Sequence, residues 1–134
     1  LSYLDINEGD VHSFNRKISK QDAMDFAKLS GDFNPLHVDA DFGKRSQFRS
    51  NVVHGMLAAS LFSALVGMHC PGEKSMYLSQ TLKFRQPIYY DDIVLVRGTV
   101  TGKNDSIRII TIKTEILKEG KIAIEGEAKV KVLD

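Results

Sequence analysis

The sequence predicts an α+β fold in which a curved antiparallel sheet wraps one long apolar helix. Two observations predict it. Between Gly55 and Met68 almost every position is apolar, over a length that suits a helix. From Ser75 onward the apolar period changes to two, in segments separated by short polar turns. A helix that is apolar all round must be buried, and a sheet with one apolar face can cover it.

The elements follow in order. Residues 11–18 read as a strand with mixed faces. Ser19, with Asp22 three residues later, is a capping-box start for a helix over about 20–29, whose Ala23, Phe26 and Ala27 share one face, with Leu29 expected at its end. Ser30-Gly31-Asp32 ends that helix. Residues 30–38 read as a loop, stiffened where Asn34 precedes Pro35. Asp39 caps a single short turn through Phe42, and residues 43–53 read as a mobile connection. The central helix then runs from His54-Gly55 to about His69 and stops at Cys70-Pro71-Gly72. Beyond it, Met76, Leu78, Leu82, Phe84 and Ile88 share one parity. Val94, Val96 and Val100 repeat it, as do Ile110, Ile112 and Ile116, and then Ile122, Ile124, Ala128, Val130 and Val132. Four successive strands make an antiparallel meander, and the strand at 11–18 makes five. Such a sheet around such a helix is the hotdog arrangement. Its open edges invite pairing with a second copy, so a homodimer is expected.

The bulk composition removes several classes. With 134 residues and 43% hydrophobic composition, the chain suits one domain over 1–134. A net charge of +1 offers no global attraction to nucleic acid or to a membrane surface. The apolar run of 14 residues falls short of the roughly 20 that a membrane span needs. Cys70 is the lone cysteine, which excludes an intrachain disulfide and fits a reducing compartment. No secretory signal pattern opens the chain, so a cytoplasmic location is expected. Asn104-Asp105-Ser106 matches a glycosylation sequon without that context. Neither a GxGxxG nor a GK[ST] motif is present.

Few residues could do chemistry. Asp32 and His37 are five apart, and a turn at Asn34-Pro35 brings them toward one point. An acid and an imidazole converging on a water form a general acid–base pair, worth ~10²–10⁴ in rate. The alternative is that Asp32 caps the loop while His37 packs on the sheet. Gly55 stands at the start of the buried helix, where free N–H groups suit a developing oxyanion; the alternative is a glycine that merely permits a tight turn into the helix. Ser60 reads as a serine bonding back to its own helix. Ser63, further along, reads as a site contact. His37, Asp39 and Asp41 lack the spacing of a metal motif, so no metal is expected. Lys44, Arg45, Arg49, Lys74, Lys83 and Arg85 are basic residues that could meet phosphate groups.

Phe26-Ala-Lys-Leu-Ser-Gly-Asp-Phe-Asn-Pro-Leu-His37 resembles the hydratase-2 motif of the MaoC-like family, and the likeness continues through Val53-His-Gly-Met-Leu-Ala-Ala-Ser-Leu-Phe-Ser63. Pro71-Gly, Ser75-Met-Tyr-Leu, Leu82-Lys-Phe and Pro87-Ile extend it over nearly the whole chain. The form it is most similar to is the short, single-hotdog (R)-specific enoyl-CoA hydratase that feeds polyhydroxyalkanoate synthesis. The resemblance implies reversible syn hydration of trans-2-enoyl-CoA to (R)-3-hydroxyacyl-CoA. It makes Asp32 and His37 the pair that activates water. It gives Gly55 N–H to the thioester carbonyl and gives Asn34 and Ser63 supporting roles. Coenzyme A enters as part of the substrate, and no cofactor is implied. Acyl carrier protein is the other possible carrier.

Three other readings compete. A hotdog thioesterase would place an acidic residue on or near the central helix, and none occurs between Val52 and Gly72. An acyl-thioester-binding module would not need both Asp32 and His37. A ligand-free scaffold leaves a polar pair beside an apolar helix without a purpose.

Overall fold

The structure, a computed structural model, describes residues 1–133. After a 3₁₀ turn at Tyr3–Asp5 come β1 (Val11–Lys17), α1 (Lys20–Ser30), α2 (Pro35–Val38), α3 (Ala40–Arg45), α4 (Gly55–Ala59) and α5 (Leu61–Ala64). A π-helical turn, Leu65–His69, follows. Then come β2 (Ser75–Gln80), β3 (Lys83–Phe84), β4 (Ile93–Asn104), β5 (Ile109–Lys118) and β6 (Lys121–Val132).

Local signals govern α1. Ser19 Oγ accepts from Asp22 N at 3.1 Å, and the Asp22 carboxylate accepts from Ser19 N at 2.9 Å, the reciprocal capping box. Gly31, at φ 81°, closes the helix in the left-handed conformation, its N–H donating to Ala27 O.

The antiparallel sheet has the order β1-β4-β5-β6-β2, and β3 also pairs with β6. Only β4, β5 and β6 are sequential hairpins, which corrects the expected four-strand meander. The reason is that β1 occupies the other edge of β4, from Val11 opposite Thr99 to Lys17 opposite Ile93. The segment after the helix must therefore reach the far edge of β6. The inward parity of β4 and β5 matches the sequence: Val94, Val96, Val100, Ile110, Ile112 and Ile116 are all buried. On β6 the pattern slips by one at its start, where a register irregularity buries Ala123 beside Ile124.

β2 departs from expectation. Met76 and Leu78 belong to the parity read as inward, yet they are 51% and 46% exposed. An edge strand with a bulge between Tyr77 and Ser79 cannot press both onto the core of its own protomer.

The central helix is also corrected. It is divided at Ser60, whose Oγ donates to Leu57 O at 2.6 Å and whose N–H is shared between Met56 O and Leu57 O. Ala58, Leu61, Phe62, Leu65 and Val66 face the sheet and are buried, while Met56, Ser60, Ser63 and Met68 are exposed. An all-round apolar helix is thus covered on one side within the protomer.

The stretch expected to be mobile is fixed at its end. Asn51 is buried and donates to carbonyls around α2; Val52 forms an isolated bridge with Tyr89; Val53 N donates to Ile88 O at 2.7 Å. α3 runs three residues beyond Phe42, capped by Asp39, whose Oδ1 accepts from Asp41 N and Phe42 N.

Candidate active site

Residues 30–38 are a loop only in their first half. Asn34 Oδ1 accepts from Leu36 N at 3.0 Å, and Pro35 takes the first helical position, so α2 is a capped helical turn. That turn points His37 back toward Asp32. Asp32 itself follows the αL Gly31, with its N–H on Ser30 Oγ and its Oδ1 accepting from Asn34 N at 3.1 Å.

His37 Nδ1 lies 2.7 Å from Val52 O. A carbonyl only accepts, so Nδ1 carries the proton and a neutral His37 keeps its lone pair on Nε2. The same logic applies to His54. Its Nε2 lies 3.0 Å from the backbone carbonyl of Asp32, so Nε2 donates and the lone pair rests on Nδ1, which is buried without a partner. His54 stacks on His37 with centroids 4.1 Å apart and meets the Phe26 ring edge-on at 4.9 Å. One side-chain oxygen or nitrogen from each of Asp32, His37 and His54 lies within 4.8 Å of the others. This is a group that could hold a water or a cation. Asp39 and Asp41 do not join it, because the Asp39 carboxylate is committed to capping α3.

His37 and Gly55 line one cavity of about 450 Å³, otherwise mostly apolar, with Phe48, Val53, Phe84 and Ile124 among its walls. A Cβ on Gly55 would lie 2.8 Å from Cε1 of the Phe84 ring. The glycine therefore serves this close packing whatever its N–H does. The N–H groups of the first turn of α4 have no carbonyl within the helix to bond.

Ser63 is not part of this cluster. It is exposed in a separate groove with Phe26, Met56, Ala59, Tyr77 and Gln80. Sequence reading missed three residues. His54 carried a readable signal, a lone imidazole between two valines and an apolar helix. Asn51 and Tyr90 carried none. The Tyr90 hydroxyl donates to His37 O, and burial raises its phenol, which keeps it a donor.

The MaoC-like domain family matches residues 6–122. The chain belongs to this family. Among relatives of this MaoC-like domain, the (R)-specific enoyl-CoA hydratase of Rhodospirillum rubrum is 41% identical, covering 96% of this chain and 89% of the relative. The (R)-specific enoyl-CoA hydratase of Aeromonas caviae is 38% identical, covering 98% and 99%. The solved (R)-hydratase from Aeromonas caviae involved in PHA biosynthesis superposes with a TM-score of 0.92 at 39% identity, covering 95% of this chain and 97% of that one. The MaoC-like domain described above shares the hotdog fold with that hydratase.

Proposed function

We propose that this protein is an (R)-specific enoyl-CoA hydratase, a hydro-lyase acting reversibly on trans-2-enoyl-CoA. The observation that carries the reading is the convergence of the Asp32 carboxylate with His37, whose free Nε2 is set by the bond to Val52 O, beside the apolar cavity that His37 shares with Gly55. Asp32 and His37 hold one water between them. Nε2 takes a proton from it as the oxygen adds to C3, and a proton returns to C2 on the same face. Water is added across the double bond, and the thioester stays intact. Charge builds on the thioester oxygen during addition, and the N–H of Gly55 at the start of α4 stabilises it. Asn34 supports the pair through its backbone N–H on Asp32 and its cap on α2. Ser63, exposed in its own groove, acts only if a partner subunit brings that groove to the substrate.

The chemistry needs no cofactor and no metal; coenzyme A arrives as part of the substrate. The active form is a homodimer, and a second copy covers Met76 and Leu78 on the β2 edge together with Met56 on the helix. A cytoplasmic setting accompanies the reading, in keeping with a free, buried Cys70. No helix of the described residues is long and apolar enough to cross a membrane.

The test is loss of the conjugated absorbance of crotonyl-CoA, with the product's handedness read by an (R)-specific dehydrogenase. Rapid loss with (R) product supports the hydratase. The same chemistry on acyl carrier protein alone would make it a 3-hydroxyacyl-ACP dehydratase. Thioester binding without turnover would make it a binding module.

A further inference from the structure

The hydratase reading assigns work to Asp32, His37 and Gly55, and leaves a buried amide beside them unused. Asn51 is 8% exposed. Its Nδ2 lies 2.8 Å from Asp39 O, 3.0 Å from Leu36 O and 3.4 Å from Pro35 O. Two hydrogens on one nitrogen serve the two nearer carbonyls well and the third marginally.

The destination of those bonds matters. α2 has four residues, so most of its carbonyls find no partner within it. Asn34 O and Pro35 O receive His37 N and Asp39 N. The next two, Leu36 O and His37 O, are satisfied from outside. Leu36 O accepts from Asn51 Nδ2 and from Val52 N at 3.2 Å; His37 O accepts from the Tyr90 hydroxyl. Val52 O in turn accepts the Nδ1–H of His37. Residues 51 and 52 thus grip the turn that carries His37 from one side, and Tyr90 grips it from another. Both grips are anchored in the same place, because Val52 bridges Tyr89 and Val53 N donates to Ile88 O. α3 leaves room for the amide: a Cβ on Gly43 would lie 2.7 Å from both N and Nδ2 of Asn51. Neither Asn51 nor Tyr90 lines the cavity shared by His37 and Gly55.

We propose that Asn51 and Tyr90 are positioning residues that clamp the Pro35–Val38 turn, so that His37 keeps its Nδ1–H on Val52 O and turns Nε2 toward Asp32. The inference rests on the hydratase reading for its kinetic consequence, not for its geometry. A clamp acts on the reaction through the placement of His37, and a misplacement of about 1 Å can cost roughly 100-fold in rate. It does not act on the grip of the acyl chain.

The experiment compares wild type with Asn51→Ala, Asn51→Asp and Tyr90→Phe in the full chain. Three quantities are read: kcat and KM on crotonyl-CoA, the thermal midpoint, and the ¹⁵N resonances of the His37 ring. Asn51→Asp keeps the shape but turns carboxylate oxygens toward carbonyls. The expected result is a kcat lower by roughly 10- to 100-fold in both Asn51 variants and about 3- to 10-fold in Tyr90→Phe, with KM changed less than about threefold. The His37 nitrogens lose the clear separation into a protonated Nδ1 and an unprotonated Nε2. A lower thermal midpoint with kcat within twofold of wild type, and with unchanged His37 resonances, would overturn the proposal and leave Asn51 a structural residue. If the Asn51 variants fail to fold, Tyr90→Phe decides by the same criteria, since it deletes one hydroxyl. If wild type hydrates no enoyl thioester, the hydratase reading fails by itself. The clamp is then judged on the His37 resonances, and their persistence in Asn51→Ala and Tyr90→Phe would overturn it.

Discussion

The imidazoles of His37 and His54 lie face to face, their centroids 4.1 Å apart and their planes 27° from parallel. One is partly buried at the cavity and the other is 2% exposed behind it. The buried ring therefore forms the floor under the ring that meets solvent, and its Nε2–H ties the floor to the Asp32 carbonyl. Replacing His54 by Ala removes the floor and leaves that carbonyl unpaired. The expected cost is about 2–4 kcal/mol of unfolding free energy, typical of a large buried side chain cut to Ala. kcat should fall as well. Urea titration beside steady-state kinetics measures both, and undiminished kcat would show that His54 supports the fold alone.

Asp32 is exposed and carries little of the core. Asp32→Asn keeps an oxygen for the Asn34 N–H but loses the negative charge beside His37. The expected outcome is a chain of nearly wild-type stability whose kcat on crotonyl-CoA is down ~10²–10⁴. His37→Gln should fall in the same range. On the proposed water-activating role, dialysis against a chelator should leave the wild-type rate unchanged; a loss restored by Zn²⁺ would instead assign the Asp32–His37–His54 group to an ion.

Gly55 faces the Phe84 ring so closely that Gly55→Ala must move it, at 2.8 Å from Cε1 and 2.9 Å from Cδ1. Phe84 is 53% exposed and its ring has room to swing, so the fold should tolerate the change. The ring is also a wall of the cavity. We expect kcat/KM to drop in Gly55→Ala and to recover in part when Phe84→Leu is added. A double-mutant cycle in kcat/KM reads the coupling, and strict additivity would disprove it.

Burial pushes the Cys70 thiol up to about 11, with nearby Asp10 adding to the shift, and burial pushes the Tyr77 phenol up to about 12. In the unfolded chain these groups ionise at their ordinary values, near 9 and 10. The unfolded state therefore sheds protons first. Their stabilising contribution is complete below about pH 8.5 and declines as pH rises through the folded values. Denaturant midpoints should fall between pH 8.5 and pH 11, less steeply in Cys70→Ala. At pH 8 the native thiol should resist iodoacetamide while the unfolded chain reacts readily.

Charge on the β2 edge should show how far assembly depends on it. Met76→Asp and Leu78→Asp place a carboxylate on residues already half-exposed in the protomer. Each protomer should fold. Sedimentation of the proposed homodimer should move toward the monomer mass, and a mass unchanged from wild type would send the interface elsewhere.

The sequence reported what local rules govern. The Ser19–Asp22 box, the helix end at Gly31 and the alternation on β4 and β5 involve neighbours within a few residues, and each lies where capping residues or periodicity put it. The spacing of Asp32 and His37 made a convergence legible, and Pro35 after Asn34 supplied its means. What escaped depends on partners far along the chain. The break at Ser60 needs only its own turn, but the apolar run masks it. Asn51, in a polar stretch of ordinary composition, is fixed by carbonyls 12 to 16 residues earlier. Tyr90 reaches back 53 residues. The pairing of β2 with β6 rather than β4 follows from β1 having claimed the other edge. No hydrophobic period records such a choice.

The bridge between Val52 and Tyr89 ties the stretch that carries the site residues to a second stretch that helps aim them. Asp32, His37, His54 and Gly55 lie on a single stretch of 24 residues and would travel together as a cassette. Asn51 and Val52 travel with them, but the remaining bearings lie on another stretch, at Ile88, Tyr89 and Tyr90, which carries none of the reacting atoms. A graft of the cassette into another hotdog would therefore transfer the parts with only some of their alignment. A one-residue change in the length of the link from β3 to β4 would detune the site while leaving every group at it intact.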